Sequence, residues 1–460
     1  MTDSQRPDGA ASGTLSRRDL LKGIGLGAVG VGAASLLDAC APAPTAPPSA
    51  SSAGPSPIAS PSASSTAGRI TIGFVTPLTG QAAGFAAGDA FIVDRVRQAD
   101  AYARGFAVGG KKYDVQIVVK DSQSDPSHAS QMVADLILQD RADLIVTTSG
   151  PDTTIPVAAV CEAQGVPCLS TVVPLETWFY GRQLDPAKPV PFKYTTMFFF
   201  GLQELVGCFV PMWARVTRSK KVAQMYPDDA DGDAFRTRFT PLIVKAGYEP
   251  LDGGAYPNGS TDFASMIATF KAGKGDIYAS APLAADFNAF WRQASTQGYR
   301  PKIATVAKVL QLPTDAEALG DLVSNIATAC WWGPFMPFKS SLTNETGRAL
   351  ADAYESASGR QWLQTLGSTY ALFEVAHAAL TSVSDPRDRN AVAAALGKVR
   401  YTGMCGPLDF TKGPIPGIGI VRPVGVQWRR GTTHPWELVV VDNSLNKDVP
   451  VSRDLQPTNL

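Results

Sequence analysis

"ADLIVTTSGPDTTIPVAAVCEAQGVPCLSTV", residues Ala142–Val172, holds a complete strand–helix–strand unit. "ADLIVTT" is a short apolar run rich in β-branched residues, the composition of a strand buried on both faces. "TTIPVAAVCEAQG" is the length of a helix, and "PCLSTV" is a second strand. Strands joined through a helix run parallel in one sheet, with helices covering both faces.

The same alternation extends both ways. Upstream, "RITIGFVTPL" (69–78) and "YDVQIVVKD" (113–121) read as strands, separated by a helix over 85–103 and followed by one over 126–140. Downstream, the pattern restarts with strands at 193–200, 221–226, 248–252, 276–280 and 302–306. Helices at 202–216, 235–246, 262–272 and 283–298 separate them. Further helices are expected at 345–358 and 365–382, and closing strands at 425–428 and 437–441. A folded part of this length exceeds one core and calls for two domains. The fold class is therefore α/β, with two parallel sheets flanked by helices.

The first 68 residues have a different character. Arg17 and Arg18 precede Leu20, Leu21 and Lys22, and then an apolar, Gly- and Ala-rich run over 24–37 ends near Cys40. A charged start, a short apolar core and small residues form the layout of an export signal. The run is too short to span a bilayer, which needs roughly 20 residues. The arginine pair resembles a twin-arginine signal, and Leu37-Asp38-Ala39-Cys40 resembles a lipobox in which Asp38 is the departure. The resemblance implies a signal over 1–39 and lipid on Cys40, the first residue of the mature chain. Residues 41–68 are Ala, Pro, Ser, Thr and Gly almost throughout, without a charge. Such a chain cannot offset its ordering entropy, so 40–68 reads as a disordered tether holding a folded body off a membrane surface. Contact with the membrane is expected through the lipid alone.

Charge gives no other partner. The chain carries 41 Lys and Arg against 41 Asp and Glu, and a neutral surface has no general pull on nucleic acid. Enzyme chemistry finds little support. The three histidines, His128, His377 and His434, are far apart in sequence, and no GxSxG elbow, Walker loop, HExxH or CxxC occurs. "DDADGDAF" (228–235) has its glycine misplaced for a calcium loop, with no acid at the twelfth position. It reads as a cleft loop capping a helix. No metal and no cofactor are expected.

Several stretches carry a more specific likeness. "ITIGFVTPLTG" (70–80), "CEAQGVPCLST" (161–171), "FKSSLT" (338–343) and "ALFEVA" (371–376) resemble the leucine/isoleucine/valine-binding class of solute-binding proteins. The resemblance runs from Arg69 to the C-terminus. It implies a two-lobed type I periplasmic binding protein fold, joined by three crossover strands, that serves an ABC importer permease as a monomer. The crossings fall near Pro189, near 326–332 and near 401–406. Lobe one is then 69–189 with 327–400, and lobe two is 190–326 with 401–460.

In such a protein the ligand lies between the lobes, at the carboxyl ends of the strands. Gln81 sits in the first strand-end loop. Ser149 and Gly150 stand where the family holds a ligand carboxylate; ordinary capping of a helix by Ser149, Asp152 or Thr153 is the alternative. Val172 and Val173 match positions that offer backbone groups to the ligand. Pro174 replaces a threonine hydroxyl of the amino-acid binders, which argues against a plain branched-chain amino acid. Asp231 lies in the cleft loop of lobe two. Asp286 matches an acid that meets a ligand amine, or else serves its own helix's first turn. Trp178 and Trp332 are candidates for stacking on an aromatic carboxylate; core packing is the alternative.

The remaining cysteines suit an exported protein. Cys161 and Cys168 flank a short turn and are expected to form a disulfide. Cys330 and Cys405, both at expected crossings, are a second possible pair, and Cys208 reads as a buried thiol. The function so read is capture of a small carboxylate-bearing solute, an amino acid or a larger aromatic compound, for import. A ligand-sensing module of the same fold is the alternative, distinguished by its neighbouring genes. A secreted hydrolase is a third, which would require turnover of an ester or amide.

Overall fold

The computed structural model describes residues 66–460. The signal over 1–39, Cys40 and most of the tether lie outside them. Residues 142–172 fold as strand Leu144–Thr148, helix Pro151–Gln164 and strand Cys168–Thr171. Pro151 occupies the start of the helix, where its missing N–H costs nothing. Gly165 closes the helix at φ 65°, a left-handed cap that favours glycine. The two strands pair in parallel, Ile145 beside Cys168 and Thr148 beside Thr171.

Around this unit a seven-stranded sheet forms. Its order is Ile418–Ile420, Thr195–Phe199, Cys168–Thr171, Leu144–Thr148, Gly68–Thr76, Lys111–Asp121 and Phe106–Val108. Every neighbouring pair is parallel except the edge pair of Phe106–Val108 with Lys111–Asp121. The buried helix Thr365–Thr381 packs on its inner strands. Asp89, wholly buried, joins the two layers by accepting hydroxyl hydrogen bonds from Thr76 at 2.5 Å and Thr369 at 2.8 Å.

The second sheet also has seven strands, in the order Trp436–Asp442, Val424–Arg430, Ala327–Cys330, Ile303–Val306, Ile277–Ser280, Lys221–Met225 and Glu249–Asp252. Its inner strands are parallel, and the hairpin 424–442 adds antiparallel to Ala327–Cys330. The helix expected over 235–246 is longer and irregular: Ala230–Ala234, a π turn over Phe235–Phe239, and Thr240–Lys245. Pro241 withholds an N–H from the ladder there, and the Thr240 hydroxyl bonds back to the Phe235 carbonyl at 3.2 Å.

The chain passes between sheets three times, once within the expected 326–332 and twice away from the expected places. Thr195–Phe199, expected in lobe two, is a fully buried strand beside Cys168–Thr171, so the first crossing follows Phe199 rather than Pro189. Ala327–Cys330 belongs to the second sheet, and the return follows it. The segment 401–406 is no crossing; it lies in a separate hairpin, Arg400–Gly403 with Gly406–Asp409. The third crossing follows Ile420. The Pro-rich stretch before Tyr194 looks like a linker in sequence, yet it is an excursion between two strands of one sheet.

Cys161 and Cys168 are buried free thiols, so the expected disulfide is absent. One closes the helix and the other opens the next strand. Burial, with the neighbouring Cys168 second, pushes the Cys161 thiol well above its ordinary pKa. Both pack as small apolar groups in the core of lobe one. Cys330 and Cys405 are also free; the Cys330 thiol donates to the Trp332 carbonyl at 3.1 Å.

Candidate functional site

The strand ends of both sheets face a cleft of about 260 Å³. On the lobe-one side, the turn Ser149–Gly150 leads into helix Pro151–Gln164. Ser149 has φ 75° and Val172, at the end of the neighbouring strand, φ 55°. Both are left-handed conformations that L-residues seldom adopt, and such strain concentrates at functional sites. The Gly150 N–H donates to the Val172 carbonyl at 3.0 Å, locking the two turns together. Gly150 has φ 88°, and no atom lies within 4 Å of where a Cβ would stand, so the backbone is open to the cleft. The first-turn N–H groups of Asp152 and Thr153 have no partner within the helix. They and Ser149, whose hydroxyl lies 3.2 Å from that of Thr148, line the lobe-one wall; a helix start of this kind carries a partial positive charge.

Lobe two presents charge of its own. Asp229 N-caps helix Ala230–Ala234 through the Gly232 N–H at 2.8 Å, placing Asp231 in the cleft. Lys308, just past strand Ile303–Val306, bends back at φ 68°. Its ammonium lies 2.9 Å from Asp231 Oδ2 and 3.1 Å from Asp229 Oδ2. Burial alone would depress the Lys308 pKa; the two carboxylates outweigh it and hold the ammonium above its ordinary value. Burial likewise pushes Asp229 up, yet Lys308 and the Gly232 N–H bring it below the usual carboxylate range. Asp152 is raised by burial, only partly offset by Lys308. Between these polar ends, Phe85, Phe199, Phe200, Leu205, Phe235 and Leu283 form an apolar wall.

The lobes touch across the cleft. The Thr177 hydroxyl donates to Asp231 Oδ1 at 3.1 Å, and the Arg238 guanidinium lies 4.1 Å from the centre of the Tyr180 ring.

A family model described as "Periplasmic binding protein" matches residues 69–415. The chain belongs to that family. Among curated proteins it is 23% identical over 217 residues to "Leu/Ile/Val-binding protein homolog 7" of Brucella abortus, an alignment over 46% of this chain and 54% of that one. The chain thus spans about half the length of the curated relatives it matches. Two solved structures share the fold. One is the branched-chain amino acid transporter substrate binding protein LivJ of Streptococcus pneumoniae in complex with isoleucine. It has 16% identity and TM-score 0.62, covering 81% of this chain and 99% of that one. The other is a solute binding protein of an ABC transporter from Rhodopseudomonas palustris BisB5 in complex with 3,4-dihydroxybenzoic acid. It has 18% identity and TM-score 0.62, covering 85% and 98%. The architecture is the two-lobed type I arrangement, and a periplasmic binding protein works outside the cytoplasm.

Within this periplasmic binding protein, Gln81, Ser149, Gly150, Val172 and Asp231 line the cleft. Val173 does not; its side chain is wholly buried in lobe one. Asp286 is 1% exposed and lies behind the wall, where its Oδ1 accepts the Gly259 N–H at 2.9 Å. Burial is the main reason its pKa is raised. Trp178 and Trp332 are corrections. Both are completely buried, Trp178 beneath the Arg182 guanidinium at 4.4 Å and Trp332 edge-on to Trp362. The rings that do line the cleft are phenylalanines. Lys308 escapes the sequence reading because "VAKVLQ" looks like the end of a strand; a lysine directly after a parallel strand was the available signal.

Proposed function

We propose that this periplasmic binding protein captures a small carboxylate-bearing solute with an apolar, aromatic-sized body and delivers it to an ABC importer permease. The supporting observation is the lobe-one wall. Ser149, Gly150 and the unpaired N–H groups of the helix start converge beside four phenylalanines in a cleft of about 260 Å³. The carboxylate rests on that wall, and the body packs on the rings. Burying one apolar side-chain equivalent contributes about 1.5–3 kcal/mol, and each charge-assisted hydrogen bond about 1.5–3. Together these reach the roughly −8 kcal/mol of a micromolar site before ordering costs.

No step of chemistry is involved. Ligand contacts to both lobes stabilise the closed arrangement, and the permease receives the solute. Lipid on Cys40 holds the mature chain at the outer surface through the 40–68 tether, and the chain works as a monomer. Mass spectrometry of small molecules released from purified, denatured protein tests the reading. A carboxylic acid of this size is the expected result. A bound species without an acidic group would overturn it.

A further inference from the structure

Each carboxylate oxygen of the two lobe-two acids in the cleft already has a partner within the protein. Asp231 Oδ1 accepts the Thr177 hydroxyl at 3.1 Å, and its Oδ2 faces the Lys308 ammonium at 2.9 Å. Asp229 Oδ1 accepts the Gly232 N–H at 2.8 Å, and its Oδ2 takes both Asn258 Nδ2 and Lys308 Nζ at 3.1 Å. Every carboxylate oxygen of this pair already holds a partner, so a ligand amine would have to share an oxygen with Lys308, Thr177, Asn258 or the Gly232 N–H. The Lys308 side chain is 21% exposed and that of Asp231 6%, so the triad is largely removed from water, where opposite charges hold each other strongly. The remaining acids offer no substitute. Asp286 has a free Oδ2 but is buried behind the wall, outside the cleft lining. Asp152 stands on the lobe-one side, where the ligand's own carboxylate goes.

We infer that Lys308 is a built-in ammonium that sets specificity: it fills the place a ligand amine would take, so the cleft selects carboxylates without an α-ammonium and rejects amino acids. The inference rests on the carboxylate reading above and deepens it. An α-amino acid must displace Lys308 from two buried carboxylates, share an oxygen with it, or leave its own ammonium unpaired, and an unpaired buried charge is strongly unfavourable. Discrimination here comes from repulsion and lost pairing as much as from attraction.

Matched pairs that differ only by the amine decide it: 3-phenylpropanoate against L-phenylalanine, and 4-methylpentanoate against L-leucine. Calorimetric titration of the wild-type protein should show the deamino acid bound at least about tenfold more tightly in whichever pair fits. Lys308→Met frees two acids and should erase or reverse that preference, while Lys308→Arg, which keeps the charge, should retain it. Circular dichroism and thermal melting of both variants establish that each is folded; if Lys308→Met does not fold, the wild-type and Lys308→Arg preferences still decide. Tighter wild-type binding of the amino acid, or a preference unchanged in folded Lys308→Met, overturns the inference alone. Binding of no member of either pair by wild type and variants sinks the carboxylate reading and this inference with it.

Discussion

Thr177 of lobe one donates its hydroxyl to Asp231 of lobe two at 3.1 Å, and the same carboxylate holds Lys308. The contact between lobes and the polar floor of the cleft are therefore one network. Opening the lobes removes a hydrogen bond from a carboxylate that lies almost entirely out of water, and closing them restores it.

Thr177→Val keeps the shape and removes the donor. A hydrogen bond to a charged group contributes about 1.5–3 kcal/mol, so the closed form should lose population and ligand affinity should fall about tenfold or more. Small-angle scattering should show a larger radius of gyration for the variant at the same ligand concentration. Equal affinity and equal scattering would mean that Thr177 does not bias closure.

Asp89 gives the fold a pH dependence. Burial raises its pKa to about 7, against the lowering effect of the Thr76 and Thr369 hydroxyls. The folded protein thus holds a proton that the unfolded chain releases near pH 4. The folded state binds more protons in that window, so stability from this group is fully present below about pH 4 and is lost as pH rises toward 7. The scale is on the order of 4 kcal/mol. Asp89→Asn should flatten the decline in melting temperature between pH 4 and 7; an identical pH profile for wild type and variant would contradict this.

The anchor lies outside the described residues but is directly testable. Cys40→Ala should move the protein from the membrane fraction to the soluble one. Wild type and variant fractionating alike would remove the lipid tether from the account.

The architecture was legible because α/β units announce themselves: Leu144–Thr148 and Cys168–Thr171 are strands whose apolar runs need no tertiary information to read. Ser149 and Gly150 were singled out through the family resemblance, and the structure lines the cleft with them. Sheet membership was not legible. Thr195–Phe199 follows a Pro-rich excursion that looks like a domain linker, and only pairing with Ser170 and Ile420 reveals its sheet. Trp332 stands next to Trp331 at a crossing, and sequence cannot tell a ring aimed into a cleft from one packed on Gly367. Lys308 was missed because its role depends on two acids nearly eighty residues earlier in the chain. Cys161 and Cys168 have the sequence separation of a disulfide; here they serve the core as thiols.

The central claim is that the Ser149–Gly150 turn receives the carboxylate of a captured solute. Calorimetric titration of wild type and Ser149→Ala with the acid released from the purified protein tests it most directly. The account predicts a wild-type site of micromolar strength or tighter, weakened about tenfold in Ser149→Ala, the loss of one charge-assisted hydrogen bond. Equal affinity of the two proteins would contradict it.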